Sequence, residues 1–417
     1  MSGPTASGPP QQAPRHLVLL LAAFTALVVF TTDVYMPVLP RLQDDFGTSA
    51  AAAAATLSAV LVGVAGGQVV LGPLSDAVGR RLPLLGGVLA YAAAHVLSAL
   101  APTIEALLAL RFLTGLAAAA CIVVTRAIVA DVYPGAAAGR AFATLGAVAA
   151  VAPVVAPLLG GLLARFTGWR GMFVALAGAA VVLAVVAARA LPETHPPERR
   201  IAPRPGAIAR ELGAVLTVRP FLAYLAAITA LGAVLFGYIG ASSFVLQEGY
   251  GLTPQQYSYV FALNAVGIVA ASMTTRHLVA RVGSVRILAA GHASSALGAA
   301  ILAVGVATDA LALVMAGLFL AISCVGFVIP SATTLAMGAS RDRAGAASGL
   351  LGIFQFTAGA IASPLAGAGG SPWSLVAVVG AGAVLGPLLV ALIGGRRARR
   401  VDGAAPTPAP GQALEGE

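Results

Sequence analysis

Two charged side chains interrupt long apolar runs of this 417-residue chain. Asp33 stands in Thr31-Thr32-Asp33-Val34-Tyr35-Met36-Pro37, and Arg111 in Leu107-Leu108-Ala109-Leu110-Arg111-Phe112-Leu113-Thr114-Gly115. A lone acid in a wet, low-dielectric cavity can exchange a proton near neutral pH, or bind a cationic molecule in the proton's place. An arginine within a hydrocarbon span costs several kcal/mol unless paired or wetted, which makes it a functional candidate by default. Each has a plain structural alternative. Asp33 lies close to Pro37 and Pro40 and could sit at a helix end in interfacial water; Arg111 could snorkel from a boundary marked by Glu105. Other chemistries are poorly supplied. His95 and His292 have no Asp, Glu or Cys cluster nearby to make a metal or nucleophile site. Cys121 and Cys324 are too few for a metal cluster or a disulfide framework. All 24 basic residues are arginine, so a Walker A motif and any lysine Schiff base are excluded. The sequence implies no cofactor, no bound metal and no enzyme.

The elements that position these residues follow from composition. The chain is 59% hydrophobic and 9% charged, with a mean hydropathy of +0.94. A soluble domain carries roughly 25% charged residues, so lipid is the expected solvent. Runs long enough to span a bilayer, about 20 residues, fall near 16–39, 50–71, 82–101, 105–129, 139–163, 170–190, 220–246, 255–275, 284–306, 309–335, 343–366 and 373–394. Charged or turn-forming stretches separate them, including Arg41 to Gly47, Gly79-Arg80-Arg81 and Gly369-Gly370-Ser371-Pro372. The expected fold is an all-α membrane protein of twelve transmembrane helices in two six-helix pseudo-repeat bundles. Residues 15–190 and 220–395 form the bundles, 191–219 a cytoplasmic linker, and 1–14 and 396–417 disordered tails. The first run is too long for a signal peptide and contains Asp33, so it reads as an uncleaved span.

Arginine placement sets the orientation. With a cytoplasmic N-terminus, 20 of the 24 arginines fall in inside loops and tails, which puts both termini in the cytoplasm. The net charge of +9 is then a matter of topology and needs no nucleic-acid partner. The halves resemble each other: Leu108-Ala109-Leu110 and Cys121 recur as Leu311-Ala312-Leu313 and Cys324, and Ala138-Gly139 and Leu145-Gly146 as Ala344-Gly345 and Leu351-Gly352. Parallel six-helix repeats joined by a long linker are the plan of a secondary transporter.

Several motifs carry a narrower resemblance. Gly72-Pro73-Leu74-Ser75-Asp76-Ala77-Val78-Gly79-Arg80-Arg81 resembles the signature loop of the major facilitator superfamily. The plain alternative is a positive loop with helix-breaking glycines. The resemblance implies a conformational latch built from Gly72, Asp76, Gly79, Arg80 and Arg81, with Arg126 as the partner of Asp76. The run around Arg111 is similar to that superfamily's motif on the fourth span, with Thr114 where glutamine is common. Ala152-Pro153-Val154-Val155-Ala156-Pro157-Leu158-Leu159-Gly160-Gly161 resembles the motif associated with antiporters, with Ala152 and Ala156 where glycines are usual. Its Pro153, Pro157, Gly160 and Gly161 bend the helix and let a neighbour approach closely.

Three further stretches look like the bicyclomycin/chloramphenicol-resistance branch of drug:proton antiporters: Thr32 to Pro40, Arg126-Ala127-Ile128-Val129-Ala130-Asp131, and Tyr238 to Gln247 followed by Tyr250-Gly251-Leu252-Thr253-Pro254. Ser243 stands where that branch has proline, and Ala130 where it has arginine. The resemblance implies a monomeric, proton-coupled exporter of small amphipathic drug-like molecules in the bacterial inner membrane, working by alternating access. Asp33 and Arg111 would couple protons. Tyr35, Gln68, Tyr238, Ser242, Asn264 and Gln355, with Phe236, Phe244 and Phe354, are the candidate cavity lining; each polar group alone could equally be a satisfied interhelical bond. Export of an endogenous metabolite is the neighbouring alternative, and a transporter-like sensor a more distant one.

Overall fold

The computed structural model describes residues 15–133, 136–200 and 205–394. The readings of 1–14 and 396–417 as tails lie outside the described residues. Among the described residues, twelve helices are long and apolar enough to cross a membrane. They are α1 (His16–Phe46), α2 (Ala50–Val78), α3 (Arg81–Ala99), α4 (Ile104–Val132), α5 (Ala137–Leu163), α6 (Gly168–Ala190), α7 (Arg219–Gly249), α8 (Pro254–Val282), α9 (Ser284–Ala307), α10 (Leu311–Ala339), α11 (Ala344–Ala366) and α12 (Pro372–Ile393). No strand occurs among the described residues. In hydrocarbon every backbone N–H and C=O must be satisfied within the segment, and a helix does this.

Local signals set the ends. Ser49 and Thr103 accept the backbone N–H groups of Ala52 and Ala106 at the starts of α2 and α4. Thr253 and Gln256 form a reciprocal capping box at the start of α8. Arg41 to Gly47, expected as a break, is helical as far as Phe46, and Gly47 closes it in the left-handed conformation. What the sequence does break is α1 itself. The α-helix ends at Asp33, a single 3-10 turn spans Met36–Val38, and the helix resumes at Leu39. Pro37 and Pro40 withhold two N–H donors there. The segment between α6 and α7 contains a short helix, Pro205–Val215.

The helices alternate in direction, so the bundle has a termini face, where α1 begins and α12 ends, and a far face. Within the first bundle α2 packs along α4, where the Cα hydrogens of Gly63 and Gly115 face the carbonyls of Phe112 and Val60. In the second, α7 packs against α10, α11 and α12. Between the bundles, α2 meets α11 and α5 meets α8. The seam is tight at the far face. Ser363 Oγ donates to the Ala54 carbonyl at 3.0 Å. Ser243 Oγ donates to the Met36 carbonyl at 2.8 Å, and Gln247 Nε2 to the Pro37 carbonyl at 3.0 Å. Two carbonyls in the broken stretch of α1 thus accept hydrogen bonds from α7.

Candidate functional site: a central cavity and two clasps

Between the bundles, on the termini side of that seam, lies a cavity of about 650 Å³. Its wall runs from Asp33 on α1 and Pro153 on α5 to Phe142, five residues from the start of α5. The wall is mostly apolar, with aromatic surface from Phe142, Phe236, Tyr238, Phe261 and Phe356. Among the described lining residues only Asp33 and Arg126 carry a charge. Asp33 is buried, and its carboxylate accepts a hydrogen bond from Thr32 Oγ1 at 2.7 Å.

The structure brings Asp33, Gln68, Tyr238, Asn264, Gln355 and Pro153 together on the wall of this cavity. Asn264 Nδ2 donates to the Tyr238 hydroxyl at 2.8 Å, and the Tyr238 ring stacks on Phe261. Four expected members lie elsewhere. Tyr35 is fully buried outside the lining, sharing a hydrogen bond with Thr56 at 3.1 Å. It falls in the break of α1, where the 100° per residue of a regular helix no longer gives direction. Ser242 is paired with the Tyr257 hydroxyl, and Phe244 is buried away from the wall. Phe354 points out of the cavity while Phe356, two residues on, lines it.

Arg111 is buried without a carboxylate partner among the described residues. Its Nη2 donates to the Thr31 carbonyl at 2.7 Å, and its guanidinium lies over the rings of Tyr35 and Phe173 at 4.6 and 5.0 Å. The Thr31 carbonyl belongs to the last turn of the broken helix, where backbone acceptors lack helical donors and a cation is favoured. Arg111 therefore grips the backbone two residues before Asp33, and it does not pair with the acid itself.

The signature loop forms a clasp on the termini face. Arg80 pairs with Asp76 through Nη1 and with Asp131 through Nε at 2.9 Å, and it also donates to Ser75. Asp76 and Arg126, expected as a pair, are apart: Asp76 is taken by Arg80, four residues on, and Arg126 lines the cavity. Glu193 carries no local signal of its role. Its carboxylate accepts the backbone N–H groups of Arg80 and Arg81 at 2.8 and 3.1 Å, capping α3 from a loop more than a hundred residues away. Gly79, with φ +99°, leaves room for it, since a Cβ there would meet that carboxylate. Arg81 closes the same corner by donating to the Ala188 carbonyl at 2.6 Å.

Partial burial pushes the Glu193 carboxyl up, but N–H donors from Arg80, His195 and Arg81 outweigh it and hold the group below the ordinary 4.5. A lowered folded-state value means stability present above the unfolded pKa and lost as pH falls through the folded one. The clasp is therefore intact at neutral pH and released only below about pH 4.5. Glu193→Ala should loosen α3 from α6 and cost about 1 kcal/mol, the range of a lost helix cap. Tryptic cleavage at Arg80 and Arg81 in membranes checks it; an unchanged cleavage rate would show that the cap contributes nothing.

Close helix crossings and a cavity between two six-helix bundles, sealed by a hydrogen-bonded seam at one end, define a membrane transporter. The sequence profile of the Major Facilitator Superfamily matches residues 19–364, and the chain belongs to that family. It is 35% identical over 363 residues to the uncharacterized MFS-type transporter YdgK of Bacillus subtilis, covering 84% of this chain and 88% of the relative. It is 31% identical to a chloramphenicol resistance protein of Pseudomonas aeruginosa (82% and 78% covered) and 29% identical to a bicyclomycin resistance protein homolog of Haemophilus influenzae (85% and 89%). Among solved structures, it resembles a bacterial homolog of the human lysosomal transporter Spinster in an inward-facing, unoccupied conformation. The TM-score is 0.75 at 17% identity, covering 96% of this chain and 100% of that one, a likeness of fold.

Proposed function

We propose that the protein is a proton-coupled antiporter exporting small amphipathic drug-like molecules across the bacterial inner membrane by alternating access. Asp33 as the sole carboxylate among the described lining residues, at the blind end of an apolar cavity, is the observation that carries this reading. The relatives named for chloramphenicol and bicyclomycin resistance support the substrate class. The arginine count puts the termini face in the cytoplasm, so the cavity as observed opens inward. The bundles are residues 15–190 and 220–395, hinged by the linker 191–219, and one chain suffices as the working unit.

In the cycle, Asp33 releases its proton to the cytoplasm as substrate enters. The far seam then parts and the termini face closes, the clasp of Arg80, Asp76 and Asp131 keeping α2, α3 and α4 of the first bundle together; substrate leaves, and Asp33 is reprotonated from outside. Arg111 acts through the α1 backbone: by holding the Thr31 carbonyl it fixes the direction in which Asp33 projects. Pro153, Pro157, Gly160 and Gly161 keep α5 bent and close to α1 and α8. A dye reporting lumenal pH in proteoliposomes tests this. Added chloramphenicol should drive proton movement opposite to its own flux; drug flux with no pH change would remove the antiport reading.

A further inference from the structure

The two charges of the cavity wall stand at different depths, and the unpartnered polar groups sort with them. With a helical rise of 1.5 Å per residue, Asp33 lies roughly 25 Å and Asn264 roughly 27 Å from the termini-face ends of α1 and α8. On the same measure Gln68 and Arg126 lie only about 15 and 9 Å from the ends of α2 and α4. Asn264 is buried, and its Oδ1 has no hydrogen-bond partner; Gln68 Nε2, on the mouth side like Arg126, has none. The unpartnered acceptor therefore lies at the blind end with Asp33, and the unpartnered donor toward the mouth with Arg126. Arg126 forms no ion pair among the described residues, and no second arginine joins it at Ala130. Helical side chains lean toward their helix N-terminus. On α4 that carries the guanidinium inward, toward the blind end, and on α1 it carries the Asp33 carboxylate outward, toward the mouth. Aromatic surface from Phe236, Phe261 and Phe356 lies between them.

We propose that this cavity selects amphipathic zwitterions, with a protonated amine against Asp33 and Asn264, a carboxylate against Arg126 and Gln68, and an aromatic body between. The inference rests on the export reading of the same cavity and narrows its substrate class. It also fits exchange: the amine takes the place of the proton on Asp33, while the carboxylate is recognised at a group that never gives its proton up.

A matched series decides it: 4′-(piperazin-1-yl)biphenyl-4-carboxylic acid, its methyl ester, and its N-acetyl derivative, titrated calorimetrically into purified full-length protein. The wild type should bind the zwitterion about tenfold more tightly than either singly charged analogue, the scale of one charge-assisted hydrogen bond. Arg126→Gln should bring the zwitterion down to the affinity of the ester and leave the ester unchanged. Asp33→Asn should bring it down to the affinity of the N-acetyl acid. Arg126→Lys keeps the charge and should keep most of the preference, which separates recognition from misfolding. Equal binding of all three by the wild type overturns the zwitterion proposal and leaves export standing. An equal loss for zwitterion and ester in Arg126→Gln overturns it too. Binding of none of the three, nor of chloramphenicol, would overturn the export reading with it.

Discussion

Asp33→Asn is expected to reduce drug-driven proton movement to the background of empty vesicles, with normal membrane insertion. The amide matches the carboxylate in shape and can still accept the 2.7 Å bond from Thr32, so packing at the break in α1 is preserved. What disappears is the only ionisable acid among the described lining residues of the cavity. Arg126 offers no substitute, because guanidinium does not release its proton in this pH range. Drug binding to the inward-open cavity should persist for neutral compounds, so the variant should bind chloramphenicol without exporting it. Everted vesicles at matched expression give the measurement. Undiminished efflux by the Asn variant would remove Asp33 from the coupling mechanism.

Gly160→Val should have the second largest effect. The Cα of Gly160 on α5 faces the backbone carbonyl of Val34, and any Cβ there would collide with it. A carbonyl in the broken stretch of α1 cannot rotate away as a side-chain tip would, so the helices must separate. Overpacking of this kind costs about 1–3 kcal/mol, roughly a five- to 150-fold shift against the packed first bundle. Spin labels at the far-face ends of α1 and α5 should show the two helices moved apart, with export lost. A label distance matching the wild type would show that the packing of the bundle does not depend on this contact. Pro153→Ala, by comparison, removes a wall residue of the cavity and should change affinity more than conformation.

Sequence and structure agree where one physical demand dominates. Lipid requires long apolar helices, so the count of twelve and most of their ends are legible from the runs. Asp33 is legible because charge in such a run is rare. Less legible is the direction of side chains beside a helix break. Tyr35 was expected in the cavity with Asp33, yet three residues of irregular backbone turn it into the bundle, against Thr56. Pairings between distant segments are harder still. Nothing near Glu193 signals that its carboxylate caps α3, and nothing near Ser243 or Gln247 signals that their partners are the carbonyls of Met36 and Pro37. Arg126 followed the same pattern. The family resemblance implied Asp76 as its partner, whereas Arg80, four residues from that acid along the chain, takes it.

The far seam also sets a population. Three neutral hydrogen bonds, from Ser243, Gln247 and Ser363, cross between the bundles there. At about 1 kcal/mol net for each, breaking them without compensation would leave the outward-open form at about one molecule in a hundred or fewer. None of the three involves an ionised group, so that ratio should barely respond to ionic strength. The termini-face clasp, built on Arg80 with Asp76 and Asp131, ties α2, α3 and α4 of the first bundle together and is formed while the cavity is open. Raising salt should screen this clasp and loosen those helix ends from one another, while the ratio set by the far seam stays constant.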